Sequence, residues 1–213
     1  ASPPPYVEEI LKKRTFRITA GVGACALAAV AVTAGNSFAA SAPAPKAPAV
    51  VADASAAQAD GFIGGQLDVP AEIVVPDGNK LDSVFKAKGV QIYSCTNGAW
   101  GPLLEPAATL TGLSLSPLKP VTALHFRGPS WESDEDGSLI EGTSPVSAPS
   151  TTPNSIAQLL VTAKTTRGDG VFAGVTFVQR LSTVGGVAPT SACAAGETKA
   201  VPYKAVYRFF KKS

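Results

Sequence analysis

The chain has 213 residues, of which 16% are charged, and a formal net charge of +2 at pH 7. This length suits one or two domains. Four of the basic residues and two of the acidic ones lie before residue 18, so the rest of the chain holds equal numbers of each. A near-neutral remainder argues against a nucleic-acid-binding surface, which is usually basic, and against electrostatic attachment to anionic lipid.

The first 40 residues have the three-part layout of a secretory signal. A cationic segment at 12–17 precedes an uncharged apolar run at 18–35, and small residues follow around Ala39. We predict cleavage after Ala39 and a secreted, extracellular protein with no stable membrane span after cleavage. Two alternatives stay open: the apolar run is retained as a membrane-spanning helix, or Cys25 is the lipid-bearing residue of a lipobox.

The mature chain divides into a spacer and a domain. The chain contains no Met, so we expect residues 1–11 to be an upstream extension, and we assign 1–39 to this extension and the signal peptide. Residues 40–66 are rich in Ala and Pro and have few large apolar groups, which indicates a flexible or extended spacer. Residues 67–213 are long enough to bury a core without help.

The domain carries short segments rich in β-branched and aromatic residues, punctuated by Pro and Gly. We predict an all-β, antiparallel sandwich or barrel with one domain. In the last segment, Tyr203, Ala205, Tyr207 and Phe209 share one face. The predicted strands are Glu72–Val75, Val90–Cys95, Thr109–Leu115, Val121–Phe126, Ile156–Thr166, Val171–Leu181 and Ala200–Phe210.

Two segments of the domain invite different interpretations. Residues 156–167 are long enough for a helix, but their Thr-rich end and the Arg-Gly-Asp-Gly turn that follows favour a β-hairpin. Residues 141–155 contain three Pro and many Ser and Thr, which predicts a long exposed loop.

Two cysteines remain after the signal, Cys95 and Cys193. In an exported protein we expect them to form one disulfide, although two buried thiols are the alternative. Two distant cysteines and a single histidine do not have the spacing of a metal site, so we expect none. We also expect no cofactor, because the chain lacks a nucleotide-binding glycine motif.

His125 is the only histidine of the chain, and a general base would use it. The competing interpretation is a half-buried strand histidine with a local hydrogen bond. Ser130 lies five residues further on, but its surroundings lack the second glycine of a nucleophile elbow. Glu132 or Asp136 beside His125 would supply the paired groups of a small carbohydrate-directed hydrolase.

The same acidic segment has the spacing of a weak calcium loop, formed by Glu132, Asp134, Asp136 and Ser138. Its first position is Glu where Asp is expected, and its twelfth position is Thr143 where a bidentate Glu is expected. A polar β-turn at Asp136-Gly137 is the simpler interpretation. Trp100 and Trp131 are the only tryptophans, and they are either a sugar-stacking platform or part of the core.

Four sequence blocks follow one another in the domain: GVQIYSC with Trp100, HFRGPSWE with a later Asp-Gly-Ser, QRLSTVGGVAP with Cys193, and YKAVYRF near the end of the chain. In this order they resemble a family of secreted bacterial and fungal proteins catalogued only as domain-of-unknown-function family 3455. The resemblance covers about 67–210 and implies a single secreted domain, while leaving its chemistry open.

These observations predict a non-catalytic module that binds an extracellular carbohydrate or an envelope component, or a structural protein. The small secreted hydrolase built on His125 with Glu132 or Asp136 is the alternative, and a concave pocket around these residues would favour it.

Overall fold

A computed structural model describes residues 59–213. The predicted signal peptide and most of the predicted spacer lie outside the described residues. Among residues 59–213, no helix is both long and apolar enough to cross a membrane.

Eight strands form one closed antiparallel barrel. Each strand pairs with its neighbours in sequence, and the first strand also pairs with the last, from Asn79 opposite Lys212 to Ser94 opposite Thr198. The predicted all-β, antiparallel fold is confirmed, and of the two architectures considered it is the barrel. The strands are β1 (Asn79–Thr96), β2 (Ala99–Leu115), β3 (Leu118–Phe126), β4 (Ser130–Ser133), β5 (Leu139–Ala148), β6 (Gln158–Arg167), β7 (Val175–Gly185) and β8 (Thr198–Lys212).

We call the end at which β1, β3, β5 and β7 finish the upper end, and the opposite end the lower end. Because successive side chains of a strand point to opposite faces, each strand lines both the interior and the outer surface. The face predicted for β8 is confirmed: Tyr203, Ala205, Tyr207 and Phe209 are all buried in the main core.

A strap formed by residues 59–78 lies on the outer surface of the barrel. Residues 59–63 are helical, and Ala59, Phe62 and Ile63 of this segment cover outward-facing Val84 and Val206. These three apolar residues belong to the stretch that the sequence analysis assigned to the spacer. Their packing explains why β1 and β8 carry apolar side chains on both faces.

The predicted strand at Glu72–Val75 is wrong. Ala71–Ile73 form a 3-10 helix, and Ile73 is buried against outward-facing residues of β5, β6 and β7. The side-chain amide of Gln179 donates to the Ile73 carbonyl at 2.7 Å. A side-chain donor therefore takes the place that a neighbouring strand would occupy, and Pro residues at both flanks limit any ladder.

The loop predicted at 141–155 is also wrong over its first half, because β5 occupies 139–148 and pairs with β4 and β6. Its register with β6 shifts between Thr143 and Val146, and Ser144 has a φ of 48°. This bulge accommodates Pro145, which has no N–H to donate to a ladder. The hairpin favoured for residues after 156 is confirmed by the pairing of β6 with β7.

The predicted disulfide is confirmed. Cys95 and Cys193 are bonded, with their Cα atoms 5.9 Å apart. The bond joins the end of β1 to the loop between β7 and β8, and the Cys193 N–H also donates to the Gly98 carbonyl of the β1–β2 turn. Both connections lie at the upper end of the barrel.

Removing this crosslink should lower the free energy of unfolding. The bond closes a loop across 98 positions, and the loss of chain entropy in the unfolded state is worth about 4–5 kcal/mol for a loop of this size. Urea unfolding of the Cys95→Ser/Cys193→Ser double variant measures the loss. Ser191→Ala, at an exposed position of the same loop, is the control and should leave the midpoint unchanged. A double variant as stable as the parent would contradict the entropic contribution.

Candidate functional site

The interior of the barrel differs between its two ends. In the lower half, Phe85, Phe172 and Phe209 pack against one another with ring centroids 4.7–5.9 Å apart. Phe172 comes from the loop between β6 and β7 and is fully buried, so it closes the lower end. Polar and aromatic side chains gather instead towards the upper end.

A cavity of about 60 Å³ lies among these upper residues. Its deep wall consists of buried side chains, including His125, Trp131 and Tyr207, whereas Pro145 is exposed and Arg180 is half-buried. The cavity therefore has a buried floor and a rim that reaches the surface. The lining residues are His125, Pro129, Trp131, Pro145, Leu159, Val161, Val178, Arg180 and Tyr207.

His125 and Trp131 form the aromatic floor. They are directly opposite each other on β3 and β4, and both point inward. Their rings are stacked, with centroids 4.6 Å apart and planes within 4°. Tyr207 packs its edge against both rings, at 5.4 Å and 5.9 Å. This three-ring cluster holds both residues in a fixed orientation.

The hydrogen bond of His125 defines its tautomer. Nδ1 lies 2.9 Å from the Ser130 carbonyl oxygen, and since a carbonyl only accepts, Nδ1 carries the proton and Nε2 a lone pair. Burial, reinforced by the positive charge of Arg180, lowers the pKa of His125 to about 3, against the opposing effect of the bond to Ser130. The imidazole is therefore neutral at physiological pH.

Arg180 is an inward-facing cation at the cavity rim. It lies opposite Tyr207 in the pairing of β7 with β8, which puts it on the interior face. Its Nε and Nη2 donate to the Ala157 carbonyl at 3.2 Å and 2.8 Å. Within residues 59–213, no carboxylate lies at ion-pair distance from this guanidinium.

The two candidate tryptophans occupy different environments. Trp131 is 1% exposed, and its indole Nε1–H is buried without a hydrogen-bond partner in the described part of the chain. Trp100 is half-buried and lies opposite Cys95 near the β1–β2 turn. Among the described residues no ring contact joins the two, so they do not form one platform.

The structure does not bring Glu132 to His125. Glu132 pairs with Leu124 and Leu139 in register, so it lies on the outward face, one residue away from inward-facing Trp131. Ser130 approaches His125 through its carbonyl and not through its hydroxyl. The groups considered for a hydrolase are therefore separated by the alternation of the strands.

Asp136 lies in the β4–β5 turn at the lower end of the barrel. Its Oδ1 accepts from the Ser138 N–H and its Oδ2 from the Val171 N–H, each at 2.9 Å. Burial alone would raise the pKa of Asp136, but hydrogen bonds from Ser138, Val171 and Ser133 outweigh it and hold the pKa below its usual value. This carboxylate fastens the β6–β7 loop to the turn.

The four residues considered for calcium are not arranged as a ligand shell. The Ser138 hydroxyl accepts from the Phe172 N–H at 3.0 Å, and Asp134 donates its own N–H to the Thr122 carbonyl. Over residues 59–213, no group of three or more His, Cys, Asp or Glu side chains is placed to hold a metal ion.

Sequence reasoning missed Arg180 and Tyr207 as site residues. Arg180 lies two residues after Val178, so the two side chains share one face of the strand. An arginine on the same face as core residues is the sequence feature that could have indicated this site. Using this feature requires knowing which face of β7 points into the barrel, because Gln179 and Arg180 are adjacent and only one of them faces the interior.

The fold and its cavity define the class: a closed, eight-stranded antiparallel β-barrel domain with a small internal cavity at one end. Residues 76–211, which span nearly all of the barrel, match the family described as protein of unknown function (DUF3455). The chain belongs to this family, and the resemblance inferred from its sequence blocks is confirmed. No curated protein and no solved structure matches the chain.

The neutral His125 makes stability depend on pH. Its folded pKa of about 3 lies below the unfolded value of about 6.5, so its contribution is present above pH 6.5 and is lost as pH falls towards 3. We expect the free energy of unfolding to fall by about 2 kcal/mol from pH 7 to pH 5 through this group alone. Urea unfolding at both pH values measures it.

His125→Phe is the matched control, because a phenyl ring can stack on Trp131 and does not titrate. The variant should lose the part of the pH dependence that comes from His125. Equal pH slopes in the parent and the variant would show that His125 is not buried neutral.

Proposed function

We propose that this protein is a non-catalytic, exported module that binds a small ligand, or a small terminal group of a larger one, in the cavity at the upper end of its barrel. The observation that carries the proposal is the inward-facing Arg180, whose guanidinium lies at the rim of a cavity without a described counter-charge. A buried or half-buried cation without a partner is costly, so such a group indicates a bound partner.

The chemistry of the lining favours binding over catalysis. Among the described residues that line the cavity there is no Asp, Glu, Ser or Cys. His125 keeps its proton on Nδ1, bonded to a carbonyl, and its low pKa makes it a poor base at neutral pH. Nucleophilic or paired-carboxylate hydrolysis requires groups that this lining does not supply.

The shape of the cavity supports a small bound group. An ordered water needs roughly 10–15 Å³ of such space, so about 60 Å³ accommodates a few heavy atoms. Aromatic and aliphatic side chains form most of the wall, with a few polar groups among them, which is the usual composition of a ligand site.

Export is supported by the sequence and is consistent with the disulfide. The uncharged run at 18–35 follows a cationic segment and precedes small residues of the kind found at cleavage sites. A bonded Cys95–Cys193 pair is typical of an oxidising compartment. In that setting the partner is an extracellular carbohydrate or an envelope component that presents a small group to the cavity.

Fragment binding tests the cavity. Because His125 is the only histidine, its ring resonances report on this site alone. We expect at least one of acetate, acetamide and methylammonium to shift them in a saturable way. Leu159→Trp, at the rim, should weaken this response about tenfold or more by filling the entrance, while Val146→Trp, on the exposed outer surface, should not.

No shift of the His125 resonances with any of the three fragments would overturn the proposal that the cavity binds ligands. Slow consumption of a fragment during the titration would contradict its non-catalytic character. Circular dichroism of the Leu159→Trp variant establishes that any lost response is not lost folding.

Fractionation of cells that produce the full chain tests export. We expect the protein outside the cytoplasm, with Ala40 at its N-terminus and Cys95 bonded to Cys193, as read by mass spectrometry without reduction. Leu27→Arg, which places a charge in the apolar run, should retain the protein inside the cell. Parent protein found in the cytoplasm with both thiols free would refute export.

A further inference from the structure

We infer that the group held in the cavity is a carboxylate, bound end-on by Arg180. This inference rests on the proposed binding function and specifies the chemistry of its ligand. Three features of the described residues carry it: the geometry of the Arg180 guanidinium, its charge, and an unpartnered buried donor on Trp131.

The guanidinium presents one free edge. An arginine has five N–H groups, and Nε and Nη2 of Arg180 each use one on the Ala157 carbonyl. The remaining N–H groups are two on Nη1 and one on Nη2. One N–H of Nη1 and the remaining N–H of Nη2 point in parallel away from the end of the side chain. A carboxylate accepts such a pair through its two oxygens. The carbonyl also fixes the guanidinium before any ligand arrives.

Arg180 is the only charged side chain among the described residues that line the cavity. Its charge helps to keep His125 neutral. Elsewhere in the described part of the chain, Arg127 is 3.6 Å from Glu105 and Lys211 is 3.1 Å from Asp82. Arg180 faces its cavity without such a partner, so an anion is the complementary ligand.

Trp131 is a second candidate donor among the side chains that line the cavity. It is 1% exposed, and its Nε1–H has no described partner. An indole N–H only donates, and leaving a buried donor unpaired is unfavourable. A carboxylate within reach of this N–H would supply the acceptor that it lacks, whereas an ammonium or alkyl group would not.

The size of the cavity limits the rest of the ligand. With about 60 Å³ available, a carboxylate and one or two carbons fit against Leu159, Val161 and Val178. Anything larger has to leave past the exposed Pro145. The source is therefore either a short aliphatic acid or the carboxylate of a larger molecule such as an acidic sugar.

The experiment compares acetate with acetamide, its neutral analogue of similar shape, at pH 7 on the full chain. His125 ring resonances and calorimetry measure the affinity. We expect acetate to bind about tenfold or more tightly than acetamide, because only acetate pairs with the guanidinium. Glucuronate in a parallel titration distinguishes the two sources: binding of both acids points to an acidic sugar, and binding of acetate alone to a short acid.

Arg180→Gln is the decisive variant, because its amide can still donate to Ala157 but has no charge. It should lose the preference for acetate, so that acetate and acetamide bind with similar affinity, and its melting temperature shows whether it folds. Arg127→Gln, at an exposed arginine, should bind acetate as the parent does.

Equal affinities for acetate and acetamide in the parent would overturn the carboxylate inference while leaving a ligand-binding cavity in place. So would a preference for acetate over acetamide that persists in Arg180→Gln. If no fragment binds, both the carboxylate inference and the proposed binding function are overturned. The two failures are therefore distinguishable in one set of titrations.

Discussion

The pairing of β1 with β8 is the constraint on which the rest of the molecule depends. It joins the first and last strands over nearly their full length, so the sheet closes and every strand has a neighbour on both sides. Closure also separates an inside from an outside. Once the ring is closed, the phase of each strand decides whether a side chain enters the core, lines the cavity or lies under the strap.

The alternation of inward and outward side chains along each strand explains which residues line the cavity. A shift of one residue separates Trp131, which stacks on His125, from Glu132, which points out of the barrel. The same alternation places Gln179 under the strap and Arg180 at the cavity. The sequence HFRGPSWE puts basic, acidic and aromatic groups close together along the chain, yet the sheet divides them between two faces. Nearness in sequence within a strand is therefore a poor guide to shared chemistry.

Local patterns were enough to predict parts of six of the eight strands, the core face of β8 and the pairing of Cys95 with Cys193. They failed where a non-local contact decides the outcome. Pro145 and many hydroxyl side chains favoured a loop over the residues that form most of β5. Pairing of β5 with β4 and β6 outweighs that weak local preference. Glu72–Val75 has strand-like residues but no neighbouring strand to join. Arg180 escaped notice because its inward position depends on register, which the sequence of β7 alone does not determine.

The upper end is also where the crosslinks of the fold are concentrated. The disulfide and the Cys193–Gly98 hydrogen bond tie the β7–β8 loop to the β1–β2 turn. The Tyr93 hydroxyl donates to the Gly186 carbonyl at 2.7 Å, and Arg180 holds the carbonyl of Ala157 before β6. Loops that surround a cavity are ordinarily the most mobile parts of a domain. Here each is fastened to a neighbour, and the aromatic floor is locked by three rings. Under the proposed binding function, a cavity held in this way would lose little entropy when it is filled, so its selectivity would come from the fit of charge and size to a rigid cavity.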